Sequence, residues 1–224
     1  MPKQRKNGKR NLRPVFYVFC EGEKTEPYYL EHYVKNHCAG YKNIQIQRIK
    51  LSDVWSIAKT NRTDPVSLVT LAVRKKEKSP TAKEDRYWCV YDREAANKVK
   101  AQTHVKALAL AAENGICIAF SNVCFEVWIL LHKQSTCASY ASYDDLRKRS
   151  KLTEYFPDYD KGDRREFSDA DITHAKSMAR RMNANTLNVP ASRLSDENIH
   201  CRLVDFNPYT DVYRLLDAID DFFS

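Results

Sequence analysis

Three short runs constrain the fold of this chain more than anything else in it: VFYVFC at 15–20, RYWCVYD at 86–92 and ICIAFSN at 116–122. Each is apolar with no alternation and rich in β-branched and aromatic residues, the pattern of a strand covered on both faces. Each also stops abruptly at polar or acidic residues. After the first run, Thr25 is placed to cap a helix, with Pro27 in its first turn and Leu30, Tyr33, Val34 and His37 as its apolar stripe. A further strand is expected at 44–51, where Ile44, Ile46 and Ile49 supply the β-branched content. Residues 65–78 read as a helix with a charged end, and residues 94–113 as an Ala-rich helix carrying Val99, Val105, Leu108 and Ala112, closed by Asn114-Gly115. Strands alternating with helices predict an α/β layer with a mainly parallel four-stranded sheet, because parallel neighbours need crossover connections.

Beyond Phe125, the run VWILL reads as a helix on that sheet, or as a strand, since periodicity alone does not separate the two. Residues 133–167 are polar and charged and read as a loop-rich insertion, disordered in part. A helix is expected from Ser168, with Asp171 as its capping partner and Ile172, Ala175, Ala179 and Met182 on its apolar face. The last helix, from Asn207-Pro208, carries Val212, Leu215, Leu216, Ile219 and Phe223 against an acidic face. The expected organisation is a basic arm (1–13), an α/β core (14–132), the insertion (133–167) and a C-terminal helical part (168–224) packed on the core.

A chain of 224 residues buries one sizeable core and is too short for two large ones. Its seven cysteines include no CxxC pair, and Cys20, Cys89 and Cys117 sit inside apolar runs, so neither a zinc site nor a disulfide framework has its spacing. No apolar run approaches the ~20 residues of a membrane span, and no signal-like stretch precedes Val15, so a cytoplasmic protein is expected. The net charge of +8 favours polyanions, with nucleic acid the first partner to consider, although such a charge also serves solubility alone. The arm MPKQRKNGKRNLR holds six basic residues and no acid. It reads as a flexible segment that touches phosphates, a solvated leader or a cloning remnant.

Ligands of open α/β sheets bind beyond the carboxyl ends of the parallel strands. Three such ends deliver Glu21-Gly22-Glu23-Lys24-Thr25-Glu26, then Asp92-Arg93-Glu94, then Ser121-Asn122 with Glu126 shortly after. Carboxylates gathered on one rim suit a hard cation such as Mg²⁺ or Mn²⁺ and repel one another without it. The plain alternative is that each acid caps the helix that follows it. Lys24, Arg93, His132 and the Lys176/Arg180/Arg181 face are candidates for holding phosphates. For His132 the alternative is a satisfied histidine at a helix end.

FCEGEKTEPYYL, VYDRE, FSNVCFEVWILLH and NPYTDVYRLL, in that order and spacing, resemble the motifs of the RloB family of prokaryotic defence-associated proteins. The resemblance implies a Toprim-like fold, as in topoisomerases, primases and the overcoming-lysogeny-defect nucleases. It implies a nuclease acting with Mg²⁺ or Mn²⁺ on DNA or RNA in antiphage defence, together with an ATPase partner. By position Glu21 resembles the strand-one Toprim glutamate, as metal ligand or as general base or acid, and Asp92 with Glu94 takes the DxD place. Glu26 and Glu126 resemble the acids that hold a second metal. Two departures stand out: the second DxD acid is Glu94, and Val123 stands where relatives often have Pro. The other reading, with DRE as its sign, is a non-cleaving nucleic-acid-binding or regulatory subunit.

Overall fold

The computed structural model describes residues 13–38, 43–48, 64–190 and 203–224. Nearly all of the expected basic arm, and residues 49–51 of the expected second strand, lie outside these residues. The chain runs β1 (Phe16–Cys20), α1 (Thr25–His37), β2 (Ile44–Arg48), α2 (Pro65–Glu77), β3 (Arg86–Asp92), α3 (Ala101–Asn114) and β4 (Cys117–Asn122). It continues with α4 (Glu126–Leu130), α5 (Tyr143–Arg149), α6 (Leu152–Tyr155), α7 (Asp169–Leu187), β5 (Tyr209–Thr210) and α8 (Val212–Phe223). The sheet has five strands in the order β2-β1-β3-β4-β5, one more than the sequence predicts. Its first four strands are parallel, and β5 adds an antiparallel edge through Ser121↔Thr210 and Asn122↔Tyr209.

The unalternating runs are explained by layers on both faces of the sheet. Phe16, Val18, Cys20, Trp88, Val90 and Ala119 pack in one cluster with residues of α1, α4, α7 and α8. Tyr17, Phe19, Tyr87, Cys89, Tyr91 and Phe120 pack in another with Leu68, Val69 and Ala72 of α2 and Ala107, Leu108 and Ala111 of α3. Successive side chains thus point to opposite faces and both sets are buried. Fully burying a Val or Phe contributes about 1.5–3 kcal/mol, so these runs anchor the domain.

Helix ends are set by short-range chemistry. Asp64 caps α2 by accepting from Val66 N (2.9 Å) and Ser67 N (3.0 Å), with Pro65 next. Such a cap is worth about 1 kcal/mol. Ser168 and Asp171 form the expected capping box on α7. Thr25, by contrast, is not a cap: it lies inside α1, and its hydroxyl donates to Lys161 O at 2.8 Å. The Ala-rich helix starts at Ala101 rather than 94, because Glu94 takes a left-handed φ of 57° and residues 95–98 turn. Its buried face is His104, Ala107, Leu108 and Ala111, and Val105 points outward.

The segment read as a loop-rich insertion is built into the core. It carries α5, capped by Ser142 Oγ accepting from Asp145 N at 3.1 Å, and α6. Its Leu146, Leu152, Phe156 and Tyr159 are buried in the cluster below α1 and α4. Among the described residues no helix is long and apolar enough to cross a membrane.

Candidate functional site

Glu21 follows β1 and stays in register with β3 by donating its backbone N–H to Val90 O at 3.0 Å. Asp92 is the last residue of β3, the strand beside β1. The β3–β4 ladder continues past it, through Arg93 N to Ser121 O at 2.8 Å and Glu94 N to Val123 O at 2.9 Å, which fixes where Glu94 leaves the sheet. Glu26 and Glu126 stand in the first turns of α1 and α4. All five acids line one cleft of about 1040 Å³, together with Lys24, Asp64, Lys98 and Lys161.

These acids are not N-caps. The cap positions of α1, α3 and α4 are Lys24, Lys100 and Phe125, and none of the three carries a side-chain capping bond. The capping acid in the cleft wall is Asp64.

Glu26 is folded over Gly22. A Cβ built on Gly22 would overlap the Glu26 carboxylate, so glycine leaves the space that this carboxylate fills and a larger residue would displace it. Glu126 accepts from the Tyr159 hydroxyl through Oε1 at 3.2 Å. Its Oε2, like Asp92 Oδ1, is buried without a hydrogen-bond partner. Buried carboxylate oxygens are ordinarily satisfied, so two orphans facing one cleft imply a missing partner for them.

The electrostatics agree with convergence. Burial, then the charges of Glu94, Glu26 and Asp64, push the Glu21 carboxyl up to about 8, against the pull of the Asp92 N–H. Burial, then Glu126 and Glu94, push Glu26 up to about 7, against its own backbone N–H and Lys161. Asp92 is raised well above the usual carboxylate range by burial and then by Glu26 and Glu126, with Lys161 and the Phe125 N–H opposing. Like charges crowded in a poorly solvated cleft hold protons where the cations at hand, Lys161 and the Lys98 that pairs with Glu94 at 2.7 Å, do not balance them.

Lys161 was not visible in the sequence as a site residue. The turn that carries it is pinned to α1 by the Thr25 hydroxyl, and its ammonium lies 4.5 Å from the Tyr143 ring centroid. Burial works against its charge, yet Glu126, Asp92 and Glu26 outweigh this and raise its pKa.

The predicted phosphate contacts divide. Lys24 lines the cleft. Arg93 does not, its guanidinium donating to Val99 O at 2.9 Å. His132 is a core histidine: it is 2% exposed, its Nδ1 lies 3.1 Å from Trp128 O, and its Nε2 is 3.0 Å from the Tyr29 hydroxyl. Donation from Nδ1 to that carbonyl leaves Nε2 to accept from Tyr29. Burial lowers its pKa to about 4, so at neutral pH it has no charge to offer a phosphate. Lys176 is held by Asp220 (2.7 Å), Asp217 (3.1 Å) and Tyr33, and Arg180 by Asp217, so this part of the basic face joins α7 to the acidic face of α8. Arg181 is exposed, and none of the three lines the cleft.

The donor set fits Mg²⁺ or Mn²⁺ by chemistry, being carboxylate oxygen with two buried atoms unpartnered. Among the described residues no group of three or more His, Cys, Asp or Glu stands close enough to hold a metal ion as placed, so the carboxylates would have to draw in. No curated protein and no solved structure matches the chain. A match to the RloB-like protein family spans residues 16–219, which takes in every acid of the cleft, and the chain belongs to that family.

Proposed function

We propose that the protein is a Mg²⁺- or Mn²⁺-dependent nuclease with a Toprim-like arrangement of acids, cutting DNA or RNA phosphodiesters in prokaryotic antiphage defence. The observation that carries this reading is the convergence of Glu21, Glu26, Asp92, Glu94 and Glu126 on one cleft, with Asp92 Oδ1 and Glu126 Oε2 unpartnered. Glu21, Asp92 and Glu94 would hold the first cation, and Glu26 with Glu126 a second. A bound cation would neutralise phosphate charge, lower the pKa of a bound water and stabilise the leaving oxygen. In the alternative role, as base or acid in place of ligand, Glu21, half-buried and raised to about 8, would give or take a proton at its carboxyl near neutral pH. Lys24 and Lys161 bring positive charge to the same cleft and would orient the scissile phosphate. The family resemblance adds an ATPase partner to this reading.

A second reading is favoured by one observation: no closed coordination set stands among the described residues. In it the chain is a non-cleaving nucleic-acid-binding or regulatory subunit. One assay separates the two. Purified protein is incubated with DNA, tRNA and other RNA, with Mg²⁺, with Mn²⁺ and with EDTA. Cleavage that needs the divalent cation and copurifies with the wild type but not with Glu21→Gln is the expected result. Binding without cleavage under every divalent condition, with the partner ATPase present, would establish the second reading.

A further inference from the structure

An acidic cleft repels a polyanion, so a substrate backbone must be gripped by cations outside it. The cations on α7 are mostly engaged by α8, and Lys98 on the cleft wall pairs with Glu94; a denser cationic group stands on the rim where α1 meets the 160–165 turn. There Arg164 stands 4.3 Å from the Tyr28 ring centroid and Arg48 5.2 Å from it. Both arginines are exposed, while Tyr28 is half-buried in α1. Lys24 lies one turn before Tyr28 and lines the acidic cleft.

Among the described residues the neighbouring acids have other partners. Asp160 accepts from the Gly162 N–H, and Asp163 pairs with Arg165 at 3.2 Å. Among the described residues Glu31 is the carboxylate that pairs with the cluster, through an exposed contact with Arg48, and such pairs contribute little and are easily exchanged. Arg164 is also hydrogen-bonded to Tyr28, and its guanidinium, with five N–H donors, has others to offer and loses little further freedom on meeting a phosphate. The Thr25 hydroxyl on Lys161 O ties the turn to α1, so Arg164 and Lys161 are carried on one support, outside and inside the rim.

We propose that Tyr28 with Arg48, Arg164 and Lys24 forms a phosphate-gripping rim that binds the nucleic-acid backbone and directs it into the acidic cleft. The rim rests on the nuclease reading for its purpose, and its test does not depend on cleavage. Binding of fluorescently labelled single-stranded and duplex DNA and RNA to the full chain is measured by anisotropy in EDTA, across a salt series. The R48A/R164A variant should bind about tenfold or more weakly at low salt. Its slope of log affinity against log salt should be shallower by about one to two, because each phosphate contact contributes about 0.9 on duplex and about 0.7 on single strands. R74A, at an exposed arginine on α2, should behave as the wild type. Thermal melts check that the variants are folded, and should the double variant unfold, R164A alone must flatten the slope by about one. An unchanged slope in the rim variants, an equal loss in R74A, or no binding by the wild type at low salt would overturn the proposal. Weakened binding in the rim variants supports it even where no cleavage is found, and that outcome would remove the nuclease reading alone.

Discussion

Asp92→Asn is expected to lower divalent-cation-dependent cleavage by about 10³-fold or more, while leaving the metal-free protein at least as stable as the wild type at pH 8. The two effects come from one property of the site. Asp92 is 8% exposed and its Oδ1 has no partner, so its negative charge is costly unless something positive meets it. Its pKa is raised well above the usual range by burial and by Glu26 and Glu126, so a negative charge there weakens the folded state. Asparagine keeps the shape and removes the charge. It also removes a carboxylate whose contribution to stabilising charge in the transition state is several kcal/mol, and about 4 kcal/mol corresponds to about 10³ in rate. Initial rates with Mn²⁺ and thermal melts in EDTA read both effects. Wild-type turnover in the variant would sink the catalytic assignment, and a melting temperature several degrees lower would give Asp92 a structural role instead.

The second large effect is stabilisation by divalent cation that grows with pH. Glu21 and Glu26 have folded-state pKa values near 8 and 7 against an ordinary value of 4.5. Groups raised in this way contribute stability that is complete below about 4.5 and lost as pH rises through 7 and 8. Two histidines act in the opposite sense: His104 and His132 are lowered to about 4, chiefly by burial, so they add stability as pH rises from 4 towards 6.5. The clean comparison is therefore pH 6.5 against pH 8.5, where both histidines are neutral and the two glutamates change from protonated to ionised. Cation at about 100 times its Kd adds about 2.7 kcal/mol, which is about 5–10 °C in Tm for a chain of this size. That shift is expected at pH 8.5, with less than half of it at pH 6.5 because protons compete for the same oxygens. A shift that is equal at the two pH values would place the bound cation away from these glutamates.

Much of the fold was legible because its strands announce themselves. A strand covered on both faces needs no alternation, and β1, β3 and β4 were found by that alone. The strand ends then named their acids in order. What the sequence hid depends on tertiary context. β5 is two residues long, too short for any period to show, and it exists because Tyr209 and Thr210 pair with the end of β4. The helical propensity of Ala95 and Ala96 is overridden by the left-handed Glu94, whose N–H is committed to Val123 O. In the insertion, the apolar residues that enter the core are spaced singly among charges, so neither helical nor strand period emerges.

The site was partly legible for the same reason. Acids on neighbouring strand ends are brought together by topology, and the spacing of the motifs carries them. A lone lysine in PDYDKGD carries no such signal, and Lys161 lines the cleft on a turn that the Thr25 hydroxyl ties to α1. The basic face of α7 and the acidic face of α8 were both visible, but their pairing with each other was not, since periodicity gives faces and not neighbours. His132 likewise sits at a helix end in sequence and in the core in space, bonded to Tyr29.

The central claim is that these carboxylates form a cation site, and diffraction from crystals soaked in Mn²⁺ at the manganese absorption edge tests it most directly. An anomalous peak in the cleft, in contact with Asp92 and with Glu21 or Glu94 and absent from Asp92→Asn crystals, is the predicted result. No peak in the cleft at a Mn²⁺ concentration that supports cleavage, or a peak that persists undiminished in Asp92→Asn, would contradict it.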